Sequence, residues 1–321
     1  MTTRALLLAL LALIAGPAAA QDDFPSRAVR IVVGFPPGGS TDVSSRIVAE
    51  QMAKDLKQPV IVENKPGAAS TIAAAFVAAA PADGYTLLNV GPGTHGTTAA
   101  LYKQLPYDAI RSFVGVGMIA TQPFVVVVAT ESPAKSLRDL IDAAKARPGQ
   151  VPYGSTGSGG GPNLVTEVVA AAAGVKFLHV PFKGAAPAAA AAVASQVEFA
   201  MVDASAALPF VAGGKLRALA VSTPQRSELF AGVPTIAEAA VPGFSYPSSV
   251  GLAAPAATPR EVVLKINAAL NRALAEPAVR ERLRGIGLIA APMGAEEFNA
   301  FLGDEVRKYA KVVRDLGLKL D

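Results

Sequence analysis

Short apolar runs alternate along this chain with stretches in which apolar residues recur every three or four positions. The runs are Val29 to Val33, Val60 to Val62, Thr86 to Val90, Val114 to Ile119, Val125 to Ala129, Val151 to Tyr153, Lys176 to Val180, Val197 to Val202, Leu216 to Val221 and Ser249 to Ala253. Each is short and largely apolar, the pattern of a strand. Helical periodicity fills most of the gaps, as in Val43, Ile47, Val48, Met52 and Leu56 after the first run. Strands alternating with helices predict an α/β fold of doubly wound, mainly parallel sheets. From Pro259 to Asp321 the pattern is helical throughout, with Glu261, Lys265, Arg272, Glu281 and Arg284 on a solvated face.

In such sheets ligands bind beyond the carboxyl ends of strands, and four of those ends here are built from glycine and hydroxyl residues. They read FPPGGSTD (35–42), ENKPGAAST (63–71), GPGTHGTT (91–98) and YGSTGSGGGPN (153–163). A helix start leaves backbone N–H groups unpaired and carries about half a positive charge, which suits an anion. A Walker phosphate loop is excluded, because Ser40, Thr41 and Asp42 stand where it needs lysine followed by a hydroxyl. Helix capping by Ser40 or Thr41 stays open beside anion binding. Gly91, Gly93 and Gly96 satisfy a GxGxxG spacing, but Pro92 sits at its second position and Asp108 falls in a turn, so dinucleotide binding is not expected.

Composition narrows the classes. Arg4, the apolar run from Ala5 to Ala15, Gly16-Pro17 and Ala18 to Ala20 have the three parts of a secretory signal peptide, with cleavage expected after Ala20. The chain of 321 residues contains no cysteine, which leaves no acceptor for a lipid anchor, no disulfide and no thiolate metal site. A periplasmic protein is the expectation, and the 301 residues after position 20 call for two domains. The net charge of +4 is spread among scattered basic residues and aromatics make up 6% of the chain, so nucleic acid is excluded as a partner.

Catalytic chemistry has little support. His95 and His179 have no second histidine or carboxylate at metal-ligand spacing, and no serine sits in a GxSxG elbow. His179, inside FLHVPF, reads as a strand residue bonded to backbone, and His95 as either a ligand contact or a loop brace. An exported hydrolase using Ser158 or Ser40 with His95 is the alternative that activity would reveal. Neither an enzyme nor a cofactor is expected.

Several segments together resemble one family. FPSRAVRIVVGFPPGGSTDVSSRIVAEQMA, PVIVENKPGA, DGYTLL, the THG and ALYKQLPYD pieces, VPFKG, GGKLRALAVSTPQRS, VPTIAEA and GLAAPAATP are similar to the Bug family, the solute-binding proteins of tripartite tricarboxylate transporters. The likeness runs in register from about Phe24 to the C-terminus. It implies a two-domain periplasmic binding protein of type II kind that closes by hinge motion around a small organic carboxylate. The implied first domain is 22–121 with 250–321, the second 122–249, and the crossings lie near Ala120 to Phe124 and Tyr246 to Val250.

The resemblance also assigns roles. Phe35 and Pro36 line the cleft, while Gly39, Ser40 and Thr41 receive one carboxylate; Ala69 and Ser70 follow the PGA loop and Thr94 with His95 form the TH pair. On the second domain Ser155, Thr156, Ser158 and Gly159 meet the far end of the ligand. Asp203 is a ligand or water contact, or else an N-cap. The segment GGGPN (159–163) carries fewer side chains than family members commonly show, and Ser245 to Ser249 lacks a tryptophan often found there. The partners implied are a dicarboxylate by preference or an aromatic acid, and the transporter's membrane subunits, served by a monomer; a membrane sensor kinase is the alternative receiver.

Overall fold

The structure, a computed structural model, describes residues 24–102 and 104–317, without the side chains of residues 92–94. The expected signal peptide and its cleavage point lie outside the described residues. Within them, no helix is long and apolar enough to cross a membrane.

All ten expected strands form, in two sheets. The first joins β1 (Val29–Val33), β2 (Val60–Asn64), β3 (Thr86–Val90), β4 (Phe113–Gln122), β10 (Ser248–Pro255) and the short β11 (Ile289–Ala290), in the order β11-β4-β10-β3-β1-β2. The second joins β5 (Phe124–Ala129), β6 (Pro152–Ser155), β7 (Leu178–Pro181), β8 (Phe199–Asp203) and β9 (Leu216–Val221), in the order β7-β6-β8-β5-β9. Helices cover both: α1 (Ser40–Leu56), α2 (Thr71–Ala78), α3 (Pro92–Leu101), α9 (Arg260–Ala275), α10 (Pro277–Gly285) and α11 (Ala295–Asp315) belong to the first. Helices α4 (Leu137–Ala146), α5 (Gly161–Ala173), α6 (Ala185–Val193), α7 (Ala204–Ala212) and α8 (Ile236–Ala239) belong to the second.

The sheets are mixed, not mainly parallel. β1 runs parallel to β2 and β3, and β6 runs parallel to β7 and β8, as βαβ units require. β10 is antiparallel to both its neighbours β3 and β4, and β5 is antiparallel to β8 and β9. The cause is the chain's route between sheets. β4 ends at Gln122 and β5 begins at Phe124, so one residue, Pro123, carries the crossing, and a proline has no N–H to extend a ladder. β4 itself runs parallel to β1, β2 and β3, so the reversed strand in each sheet is the one that enters from the other half, β10 in the first and β5 in the second.

Small residues set how closely helices lie on these sheets. Gly251 of β10 faces Phe298 of α11, and a methyl group there would stand 2.2 Å from Phe298 Cζ and 2.8 Å from the Gly117 carbonyl. Beside it the Gly115 N–H donates to Asn299 Oδ1 at 2.8 Å. Both contacts fix α11 against β4 and β10. On α9, Ile266, Ala269, Leu270 and Ala273 are fully buried against the sheet, while the charged positions read as solvated are exposed. Arg272 pairs with Asp55, and Arg284 with Glu228 of the second half.

The halves also meet through apolar side chains. Leu164 of α5 is buried with Tyr309 and Val313 of α11. Tyr246, just before the return crossing, meets Tyr309 edge-on at 5.8 Å, with Lys308 Nζ 4.4 Å above its ring.

Gly251→Ala is expected to lower stability by about 1–3 kcal/mol, the range for overpacking. Denaturant unfolding at unchanged slope measures it; a loss below about 0.5 kcal/mol would show that α11 is free to move away from the sheet.

Candidate functional site

The loop after β1 is shaped by Asp42. Its carboxylate is almost fully buried in the first turn of α1 and accepts from Arg46 Nη2 at 2.9 Å, from Asn64 Nδ2 at 2.9 Å and from the Gly38 N–H at 3.0 Å. Burial pushes its pKa up, but the bonds from Arg46, Gly38 and Asn64 outweigh that and hold it below the usual carboxylate range. Asn64, at the end of β2, also donates to the Phe35 carbonyl at 3.0 Å. Two strand ends are thereby tied together. The cap position of α1 is Gly39, and no side chain caps it. Ser40 and Thr41 are only partly buried, and among the described residues neither hydroxyl bonds to a protein group. The capping alternative for these two residues is therefore not what the structure adopts.

The next loop holds an unusual backbone. Ala68, Ala69 and Ser70 have φ of 44°, 49° and 74°, three non-glycine residues in succession in the left-handed region. Each costs about 1–2 kcal/mol relative to ordinary backbone, so the surroundings must impose it. Part of the cause is Gly34, which closes on Ser70: a Cβ at Gly34 would lie 1.9 Å from Ser70 Oγ. The Ser70 hydroxyl has no protein partner among the described residues.

His95 lies in α3 and is a brace. It is nearly fully buried, stacked on Tyr107 at 5.8 Å and edge-on to Phe113 at 5.2 Å. Burial takes its pKa down to about 4, against a smaller upward pull from the Ala109 carbonyl. The ring is neutral near pH 7, and since a carbonyl only accepts, Nε2 carries the proton in the 2.8 Å bond to Ala109. Among the described residues its ring bonds to neither Ser40 nor Ser158, the contact that the hydrolase alternative requires. The side chain of Thr94 lies outside the described residues.

Phe35, Ala69, Ser70 and His95, predicted from three separate loops, come together around a recess of about 10 Å³, with Asn89 and Tyr107 completing its wall. That is room for one water. Asn89 donates to Ser45 Oγ at 2.6 Å, while its Oδ1 is buried and unpaired. Pro36 and Gly39 stand exposed beside the recess loop.

In the second half of the molecule the glycine-rich loop lies between β6 and α5. Ser155 is fully buried beneath it, with Oγ 2.6 Å from His179 Nε2 and accepting from the Gly157 N–H at 3.2 Å. Ser155 thus supports the loop from below instead of lining its open face. His179 is bonded to this side chain and not to backbone, which corrects the reading from FLHVPF. Burial lowers its pKa, and Glu167 opposes the shift. Thr156 and Ser158 form no hydrogen bond with the protein among the described residues, and Ser158 is exposed. The Gly159 N–H donates to Asn163 Oδ1 at 3.0 Å.

Asp203 stands at the N-cap position of α7 yet makes no side-chain cap. Its Oδ1 accepts from Gln122 Nε2 at 3.2 Å, across from the end of β4. Burial raises its pKa to about 6, its own N–H pulling weakly the other way. The residues that sequence reasoning missed, Asn64, Asn89, Asn163 and the His179 contact, are amides and a ring inside apolar strands or helix starts. A polar residue embedded in such a run was the available signal.

The chain matches the model of the tripartite tricarboxylate transporter family receptor over residues 44–318. It is similar to BugT of Bordetella pertussis, at 34% identity over 96% of this chain and 94% of that one. Among solved structures it resembles Rpa4515 of R. palustris with adipate, at 33% identity and TM-score 0.83 over 93% of this chain and 100% of that one. MatC of Rhodopseudomonas palustris with bound malate follows at 32% identity and TM-score 0.79, over 90% and 100%. On the fold, the two groups of strand-end loops and these likenesses, the chain belongs to the tripartite tricarboxylate transporter receptor family and is a solute-binding protein of the two-domain Bug type.

Proposed function

We propose that this protein captures a small organic carboxylate between its two lobes in the periplasm and delivers it, without chemical change, to the membrane subunits of a tripartite tricarboxylate-type importer. The observation that carries the reading is the set of hydroxyls with no protein partner among the described residues, Ser40, Thr41 and Ser70 on one wall and Thr156 and Ser158 on the other, in the loops that lead into helices. A carboxylate taken out of water must replace its hydration, and charge-assisted bonds from N–H and hydroxyl groups do so most strongly. None of these loop residues is an arginine, and Lys65 of the second loop is paired with Glu63, so in this reading the anion falls to dipoles and hydroxyls.

One carboxylate then rests on Ser40, Thr41 and the turn at Ala69 and Ser70. The opposite end of the ligand meets Thr156, Ser158 and the backbone at Gly159, with Asp203 near the crossing. Adipate and malate in the two relatives support a dicarboxylate as the first choice. The lobes divide as 22–121 with 250–321 and 122–249, hinged at 120–124 and 246–250. A ligand that touches both favours the closed form by its differential affinity for that form.

Thermal unfolding of the purified protein against aliphatic and aromatic mono-, di- and tricarboxylates tests the reading. A ligand at a hundred times its dissociation constant adds about 2.7 kcal/mol, and a rise of several degrees is expected with one carboxylate class. Absence of any rise in ligand-free, folded protein would contradict it.

Thr41→Ala combined with Ser158→Ala removes one hydroxyl from each wall. Titration calorimetry should show affinity for the carboxylate that stabilises the protein falling by about 1.5–3 kcal/mol, and unchanged affinity would rule out this placement.

Asp203 gives a pH signature in stability. Its folded pKa of about 6 lies above the ordinary 3.8, so the folded state holds its proton more tightly than the unfolded state. Its contribution therefore falls as pH rises from about 4 to 6, and a penalty persists above 6. Asp203→Asn should be more stable than the parent by about 1–2 kcal/mol at pH 7.5, with the gap closing near pH 4. A gap independent of pH would show that the carboxyl is not desolvated.

A further inference from the structure

Between Tyr153 and Gly161 five of nine residues are glycine, and such a run has few side chains of its own to hold a shape. Gly157 and Gly159 nevertheless take up φ of 121° and 74°, which the loop must be made to keep. Two hydrogen-bonded clasps beneath it supply the constraint. In the first, Ser155 Oγ receives the Gly157 N–H and is itself held by His179 Nε2 at 2.6 Å. In the second, Asn163 Oδ1 receives the Gly159 N–H, Asn163 Nδ2 donates to the Tyr153 hydroxyl at 2.7 Å, and that hydroxyl donates to Glu167 Oε1 at 2.7 Å.

The second clasp has one direction. Burial, and then the charge of Glu167, keep Tyr153 protonated, so its hydroxyl gives its proton to Glu167 and is left to accept from Asn163. The Asn163 amide must then turn its oxygen to Gly159. The clasps meet at Tyr153, whose ring stacks on His179 at 4.9 Å. Gly157 and Gly159 spend their N–H groups inward, while the residues between and before them, Ser158 and Thr156, have no protein partner among the described residues.

We propose that Asn163 and His179 are positioning residues for the ligand: by turning Gly157 and Gly159 inward they preset Thr156 and Ser158 as outward donors. The inference rests on the carboxylate-receptor reading, since it says how that wall is prepared. A loop ordered before the ligand arrives spares the complex the cost of ordering it, so affinity depends on side chains that the ligand does not touch.

Amide hydrogen exchange in the ligand-free protein tests the clasps, and titration with malate and adipate tests their consequence. Asn163→Leu should speed exchange at Gly159, and His179→Leu at Gly157, about tenfold or more. Each should weaken binding of the probe that the parent protein binds by roughly 3- to 10-fold, the effect of one hydrogen bond. His179→Gln, which can still reach Ser155 Oγ, should restore both readouts to within about twofold. Unchanged exchange, or unchanged affinity in both leucine variants, overturns the proposal; so does a glutamine variant as impaired as the leucine one. If the parent protein binds neither probe, the receptor reading has failed for those ligands, and the exchange rates still decide whether the clasps hold the loop.

Discussion

A backbone N–H can serve a ligand only if the loop that carries it is fixed, and in this protein that constraint is met by buried side chains reaching up from below. In the first lobe the buried carboxylate of Asp42 gathers Arg46, Asn64 and the Gly38 N–H, and Asn64 holds Phe35 in turn. In the second lobe Asn163 holds the Gly159 N–H, and Ser155, itself bonded to His179, holds that of Gly157. A glycine-rich loop left to itself would lose too much entropy on binding to give useful affinity. Both loops therefore pair partly or fully exposed hydroxyls with more buried side chains beneath them, a carboxylate and an amide in the first and an amide and an imidazole in the second.

The strained turn at Ala68 to Ser70 belongs to the same logic. Three left-handed residues in succession are unfavourable locally, and Gly34, having no Cβ, leaves the space that Ser70 takes up in this conformation. The outcome is that Ser70 is pressed against the end of β1, beside the recess that Asn89 and His95 line. Side chains from three separate loops thus meet around one small recess.

Much of this was legible in the chain, and the exceptions have physical causes. Apolar runs marked the other ten strands, most of them buried and β2 and β7 at the sheet edges only partly so; β11, with two residues, leaves no periodicity to detect. Strand direction was misjudged because hydrophobic pattern records burial and not polarity, and only the one-residue crossing at Pro123 determines that β5 must run against its neighbours. The donor loops were visible as glycine and hydroxyl clusters, whereas their supports were not: Ser155 looked like a donor in the loop, yet its partner His179 lies 24 residues away on another strand. His95 shows the same limit, since its bond to the Ala109 carbonyl depends on a turn that sequence spacing does not specify.

The lobes are joined by modest contacts, Leu164 and Tyr246 against Tyr309, Gln122 with Asp203 and Arg284 with Glu228. The most direct test of the account is a crystal structure of the protein with a bound dicarboxylate. The expected result places one carboxylate within hydrogen-bond distance of Ser40, Thr41 or Ser70 and the other end of the ligand on Thr156 or Ser158. A ligand seated on an arginine or lysine, or held by one lobe alone, would contradict it.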